Sequence, residues 1–380
     1  MSWKNEKLTE ICTVTTGKWD ANHASEKGKF RFYTCASKFL LCNTKRYDGK
    51  NIILPGNGAN VGDVYFYDGA FDAYQRTYVL SDIKIIPEYL YYHLQSNWEE
   101  TNRFKQYGSA TNFLKIGNFK DYNVCYPPLH TQQKIVEKLD YILAEIDKAT
   151  AAAKANANNA EALFQSYVTE VFENEKYEFN LVKFGTTASF VRGPFGGSLK
   201  KSIFVEKGYA VYEQQHAIYN QFLDIRYFID KSKFEEMKRF ELKSGDLIMS
   251  CSGTMGKIAI VPENIERGII NQALLKISPN KNVMGNYIVR LLSSKYFQDI
   301  LSKLSGGVAI QNVPAVSVLK EITVPVPSIK NQNLIIDTID FLESNKNIIK
   351  NSYRAKAKEL TSLKQSILQK AFNGELVKAA

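Results

Sequence analysis

The sequence predicts an α+β chain made of two pseudo-repeated α/β domains separated by two long, antiparallel, coiled-coil helices. Three observations predict it. The chain repeats itself at a period of about 200 residues. Each copy ends in a long hydrophobic seam of alternating four- and three-residue steps. Ahead of each seam, short β-branched and aromatic runs lie between Gly, Asn and Ser clusters, the pattern of strands and turns.

The repeat is clearest where LHTQQKIVEKLDY (129–141) meets IKNQNLIIDTIDF (329–341). Leu129 aligns with Ile329, Gln132 with Gln332, Ile135 with Ile335 and Asp140 with Asp340. The match runs on through Leu163 and Leu363, Gln165 and Gln365, and Phe172 and Phe372. Upstream, Trp3, Leu8, Val14 and Gly17 correspond to Phe179, Phe184, Phe190 and Gly193, and GANVG (58–62) resembles GTMG (253–256).

Four segments follow in order: an α/β domain over 1–130, a helix over 131–176, a second α/β domain over 177–330 and a second helix over 331–380. In the domains, 61–67, 247–249 and 257–261 read as strands, and 89–94 and 287–292 as amphipathic helix. The first seam is Ile135, Leu139, Ile142, Ile146, Ala149, Ala153, Asn156, Ala160, Leu163, Tyr167. The second is Ile335, Ile339, Leu342, Lys346, Ile349, Tyr353, Lys356, Leu360, Leu363, Ile367. Pro127, Pro128 and Pro327 precede the helices, and Gly374 follows the last one as a stop signal.

The 380 residues carry 49 Lys and Arg against 39 Asp and Glu, a net charge of +10. Residues 177–330 hold 20 basic and 13 acidic side chains, whereas 131–176 hold 5 and 8. Basic domains joined by an acidic helix favour a polyanion held by the domains. Five cysteines with no CxxC pair suit a reducing, cytoplasmic setting and argue against a zinc ribbon. No leader-like start and no membrane-length apolar run are visible, so no membrane is expected.

Catalytic motifs fail on inspection. An amino-methyltransferase needs Asn or Asp before Pro-Pro-aromatic, and Tyr126-Pro127-Pro128-Leu129 has neither the polar residue nor the aromatic. Gly256-Lys257 lacks the glycine five positions earlier and the following Ser or Thr of a P-loop. The four histidines show no metal-ligand spacing. Ser252 lacks the leading Gly of a nucleophile elbow. The expectation is a non-catalytic chain with no cofactor or metal of its own.

GDLIMSCSGTMGKI (245–258), PVPSIKNQ (325–332) and LKQSILQKAFNGEL (363–376) resemble the specificity subunits of type I restriction-modification systems, and the likeness runs over nearly the whole chain. In the first half, NIILPGNG (51–58) stands where that pattern has a Gly-Asp strand and Ser-rich turn. The resemblance implies two target recognition domains, each reading one half of a bipartite, asymmetric site in double-stranded DNA, held apart by the paired helices. It implies two methyltransferase subunits that carry S-adenosylmethionine and methylate adenine N6. It also implies restriction subunits using ATP and Mg in systems that have them. A bipartite methylation system without an ATP-driven nuclease is the near alternative, and a two-headed coiled-coil protein adaptor the distant one.

Base edges are read by Arg, Lys, Asn, Gln, Ser and Thr, and phosphates by basic groups and loop amides. In the first domain the candidates are Lys18, Trp19, Arg31, Tyr33, Asn57, Asn60, Gln75, Arg76, Thr111 and Asn112. In the second they are Arg192, Lys200, Lys201, Gln214, Gln215, His216, Ser252, Thr254, Lys257, Gln311 and Asn312. For His216 a structural role is an equal alternative.

Overall fold

The structure, a computed structural model, describes residues 3–102, 112–251, 254, 256–304 and 315–376. It divides into two compact units, Met1–Ala155 with Tyr353–Ala380, and Asn156–Ser352. Each unit takes one α/β region and part of each long helix.

Unit 1 contains β1 (Lys4–Lys7), β2 (Thr13–Thr16), β3 (Phe30–Tyr33), β4 (Leu40–Cys42), β5 (Lys50–Pro55), β6 (Tyr65–Asp68), β7 (Phe71–Ala73), β8 (Thr77–Ser81) and β9 (Asn123–Tyr126). One sheet runs β2-β8-β5-β6, all antiparallel, and a second runs β4-β3-β7 with β3 and β7 parallel. β1 and β9 form a separate two-stranded ladder.

Unit 2 contains β10 (Asn180–Lys183), β11 (Ala188–Arg192), β12 (Phe204–Val205), β13 (Tyr209–Tyr212), β14 (Phe228–Ile229), β15 (Leu247–Ser250), β16 (Ile258–Ile260), β17 (Gly268–Ile270), β18 (Leu274–Pro279) and β19 (Thr323–Val326). Its sheets run β11-β18-β15-β16 and β12-β14-β13-β17, with β13 and β17 parallel and β10 paired to β19. The topology is that of unit 1 with β12 added at an edge.

The stretch NIILPGNG supplies β5, a central strand buried from Asn51 to Pro55, and LIMS supplies its counterpart β15, buried throughout. A left-handed glycine, Gly49 or Gly245, leads into each, a conformation that a side chain disfavours. The residues differ while the strand and its entry turn remain.

The β2-β8-β5-β6 sheet packs against the helix Pro87–Asn102, and the β11-β18-β15-β16 sheet against the helix Gly285–Ser293. Tyr89 and Tyr287 hold equivalent places in them: both are buried, and their hydroxyls donate to the carbonyls of Cys125 and Pro325.

The long helices are Leu129–Glu173 and Ile329–Phe372. They run antiparallel within each unit. In unit 1 Lys364 pairs with Asp147 at 2.9 Å and Lys138 reaches the carbonyl of Leu376 at 3.2 Å. In unit 2 Glu161 meets Lys350 at 2.9 Å, while the Phe164 ring lies 4.4 Å from the Lys346 ammonium. Left-handed Gly374 closes the second helix.

The seams differ from the sequence expectation in one respect. After Ala153 the buried stripe steps to Ala157, Ala160 and Val168, leaving Asn156, Leu163 and Tyr167 exposed. The second helix makes the same slide, burying Ala357 and Leu368 and exposing Ile349, Lys356 and Leu363. Successive four-residue steps move the apolar stripe by one position, which the difference between 3.5 and 3.6 residues per turn permits.

Where each α/β region meets its long helix, both units use one device. Gln132 is 1 % exposed; its Oε1 accepts the Ile86 N–H and its Nε2 donates to the Pro127 carbonyl. Gln332 is 0 % exposed; its Oε1 accepts the Met284 N–H and its Nε2 donates to the Pro327 and Asn282 carbonyls. A buried amide with donor and acceptor both satisfied locks helix to domain.

Candidate nucleic-acid interface

Several of the candidate residues lie on loops that converge on a backbone junction built the same way in each unit. In unit 1 the Gly17 N–H donates to the Thr77 carbonyl, Tyr74 N–H to Tyr33, and Gly56 N–H to Arg76. In unit 2 Gly193 N–H donates to Leu274, Asn271 N–H to Tyr212, and Cys251 N–H to Ala273. The ends of β2, β3 and β5, or of β11, β13 and β15, are thereby drawn together.

Glycine is required at the crossing. A Cβ on Gly17 would lie 1.9 Å from the Ala73 carbonyl oxygen, and one on Gly193 would lie 1.8 Å from that of Asn271. No side chain fits at such a distance.

In unit 1 the junction gathers Trp19, Asn57, Asn60, Gln75, Arg76 and Asn112. Trp19 bridges to Tyr74, and its carbonyl accepts the Gln75 N–H. Asn57 bridges to Phe113, and Gly58 N–H donates to the Asn112 carbonyl. Lys18, Gln75, Arg76 and Asn112 are exposed. Trp19 is 42 % exposed and fixed, its ring stacked on His23 at 4.0 Å and its Nε1 donating to buried Asp72 at 3.1 Å. The Asn60 amide is committed to the Cys35 carbonyl at 2.8 Å. Arg31 and Tyr33 lie on β3, with Tyr33 largely buried. Thr111 lies outside the described residues.

In unit 2 Arg192 ends β11 beside Cys251. Burial first pushes that thiol up to about 11, and the nearby guanidinium pulls the other way. Buried Ser250 ties Thr254 to Lys257: its hydroxyl donates to the Thr254 carbonyl at 2.6 Å and accepts the Lys257 N–H at 3.0 Å. Thr254 and Lys257 are thereby displayed on the surface. Lys200 and Lys201 are exposed ahead of β12, apart from the junction's hydrogen bonds. Gln214 and Gln215 are half-buried on the helix Gln214–Tyr219, and the Gln215 amide donates to the Asp224 carbonyl. Ser252, Gln311 and Asn312 lie outside the described residues.

His216 is corrected to a structural residue. It is 0 % exposed, its Nδ1 is 2.9 Å from the Glu213 N–H, and its Nε2 is 3.0 Å from the Asp224 carbonyl. With its ring nitrogens engaged by backbone, it has nothing to offer a base.

Sequence reasoning missed Gln272. It is exposed and follows Asn271 as Gln75 follows Tyr74. The available signal was the ungapped register of 71–81 on 268–278, in which Gln75 meets Gln272 and Ser81 meets Ser278. Also missed were Phe39 and Tyr67, whose rings flank Arg31. Among the described residues, no group of three or more His, Cys, Asp or Glu is placed to hold a metal, and no helix is long and apolar enough to cross a membrane.

Comparison with known proteins follows the same lines. The chain is 25 % identical over 402 aligned positions to the type I restriction enzyme EcoDI specificity subunit of Escherichia coli, covering 99 % of this chain and 89 % of that one. The EcoKI specificity subunit of E. coli strain K12 is 24 % identical across 71 % of this chain and 61 % of its own length. Among solved structures, a chain from a type I R-M system, studied for complex assembly and conformational transition, superposes with a TM-score of 0.74 at 16 % identity, covering 98 % of both chains. The HsdS subunit of Thermoanaerobacter tengcongensis gives 0.57 at 17 % identity, covering 98 % of this chain and 97 % of its own. The family model for the type I restriction modification DNA specificity domain matches residues 1–156 and 195–359, and the chain belongs to that family.

Proposed function

We propose that this chain is the sequence-reading subunit of a type I restriction-modification complex. Its two α/β regions each read one half of a bipartite, asymmetric DNA site and bring adenine-N6 methylation to it. The observation that carries this reading is the repeated junction. One backbone framework is presented twice, with a glutamine shared at Gln75 and Gln272 and different side chains around it: Trp19, Asn57 and Arg76 in one copy, Arg192, Thr254 and Lys257 in the other. Two readers of unlike half-sites need such a common frame with unlike tips, because base edges are distinguished by donor and acceptor pattern.

Regions 1–130 and 177–330 act as the readers, and the helices over 131–176 and 331–380 as spacers. Two methyltransferase subunits fit the duplicated exposed apolar positions Leu129 and Ile329, Tyr141 and Phe341, and Leu163 and Leu363. A partner that covers one set in each copy binds twice. S-adenosylmethionine belongs to those partners, and ATP with Mg to a restriction subunit where present; this chain binds DNA and supplies no catalytic group. Five free cysteines suit the cytoplasm.

Methylome sequencing of cells expressing the chain with its methyltransferase tests this. A bipartite methylated motif that vanishes when this gene is deleted is expected, as is no methyl transfer by the purified chain alone. A motif that persists without the chain would overturn the proposal.

A further inference from the structure

Arg31 is held differently from the ion-paired arginines. Strand alternation puts Arg31 and Tyr33 on one face of β3 while Phe32, 0 % exposed, enters the core. The guanidinium carbon lies 4.3 Å from the centre of the Phe39 ring and 4.2 Å from that of Tyr67, and Nη1 donates to the Tyr33 hydroxyl at 3.2 Å. The Tyr33 ring is 6.0 Å from Phe39 and 5.8 Å from Tyr67, so three rings box the side chain. Arg226, Arg267 and Arg290 are paired with carboxylates, whereas among the described residues Arg31 has no carboxylate at ion-pair distance.

We infer that Arg31 reads a guanine in the half-site assigned to unit 1, using the in-plane edge of its guanidinium, and does not serve as a phosphate anchor. This rests on the proposed DNA-reading function. Rings against its faces and the Tyr33 hydroxyl on Nη1 leave the Nη2–Nε side of the plane as the group's remaining binding surface, and that pair of N–H donors matches the O6 and N7 acceptors of guanine. A clamped fork also loses little freedom on binding. The rim is apolar, with Phe39 43 % and Leu40 45 % exposed. A phosphate seated there would lose water against carbon, whereas a base edge brings a flat, weakly hydrated surface. Exposed Lys38, beside Phe39 in sequence, serves as the comparison for a phosphate contact.

The test uses the full complex with its methyltransferase and the motif found by methylome sequencing. Duplexes carry 7-deazaguanine, which lacks the N7 acceptor, at one guanine of the motif at a time. At one position in one half-site the analogue should weaken wild-type binding about tenfold. Arg31→Ala and Arg31→Lys should each bind the natural site about that much more weakly and ignore the analogue there. Lys keeps the charge but not the fork, so a phosphate role would survive Arg31→Lys. Lys38→Ala should weaken all sequences alike and lower the salt slope by about one. An unchanged urea midpoint, with discrimination retained at the other positions of the same half-site, shows that the variants are folded. Wild-type behaviour of Arg31→Lys, or a uniform loss with a lower salt slope in Arg31→Ala, overturns the inference. So does a motif in which no guanine responds to the analogue, and that outcome leaves the wider function standing. Absence of any methylated motif sinks both.

Discussion

Units 1 and 2 share a strand order, a parallel pair at the junction and a glutamine lock, yet they furnish the junction with different chemistry. Unit 1 surrounds it with rings: Trp19 on His23, Arg31 among Tyr33, Phe39 and Tyr67. Unit 2 ties Thr254 and Lys257 to Ser250 and adds a short helix pinned by His216. Backbone hydrogen bonds fix where the loops meet, and they do not depend on which side chains those loops carry. Under the proposed function, specificity is therefore free to vary on a frame that does not.

The comparison breaks most severely if the units are not independent. Replacing residues 180–325 with the corresponding region of another family member should change one half-site of the methylated motif completely and leave the other untouched. A change in both halves would end the two-reader description.

Next come the crossing glycines. Gly17→Ala and Gly193→Ala each place a Cβ within 2 Å of a carbonyl oxygen, and overpacking of this kind costs about 3 kcal/mol. Each should lower urea stability and impair only its own half-site. A tolerated Gly17→Ala beside a damaging Gly193→Ala would show that the junctions are not equivalent.

Acid should separate the units. His93 is buried, its Nδ1 near the Tyr122 hydroxyl and its Nε2 near the Cys125 N–H, and burial lowers its pKa to about 4. The corresponding place in unit 2, four residues past the equivalent tyrosine, holds Leu291. Between pH 6.5 and 4 the unfolded imidazole takes a proton that the folded one refuses. Stability is therefore full above pH 6.5 and falls by up to roughly 3 kcal/mol on acidification to pH 4. His93→Leu should remove that share of the acid sensitivity. An unchanged pH profile of the melting temperature would argue against it.

Smaller effects test the glutamine lock and the basic edge. Gln132→Ala and Gln332→Ala should each cost about 1–3 kcal/mol by stranding buried backbone groups, with Gln332 the larger because it holds a further carbonyl. Equal losses would mean that the Asn282 bond contributes nothing. Lys200→Ala with Lys201→Ala should lower the salt slope of DNA binding by up to about two counterions and leave the motif unchanged. An altered motif with an unaltered slope would assign them to bases.

The long helices were legible because one buried stripe repeats for many turns. The one-position slide after Ala153 was not, because Leu163 and Leu363 are apolar and fit the unshifted seam as well as the true one. Strand order was hidden for a different reason. Alternation reports which face a residue takes, not which strand lies beside it, and the pairing of β3 with β7 closes a loop of some forty residues. The candidate interface was legible as loop composition only. Gln-Gln-His reads as polar surface until His216 is found buried among carbonyls, and Arg31 gains its distinction from Phe39 and Tyr67, which sequence alone does not bring to it.

The β1·β9 and β10·β19 ladders bring the chain into and out of each α/β region side by side, with Lys4 opposite Tyr126 and Asn180 opposite Val326. A region whose two ends are neighbours behaves as a cassette plugged into the helical frame through a single socket. Recombination between related genes then needs only two short stretches of matching sequence, one under each strand of the ladder, to install a complete new reader. The recipient frame keeps its own helices, so under the proposed function one genetic exchange changes the site that is read without a new assembly to carry it.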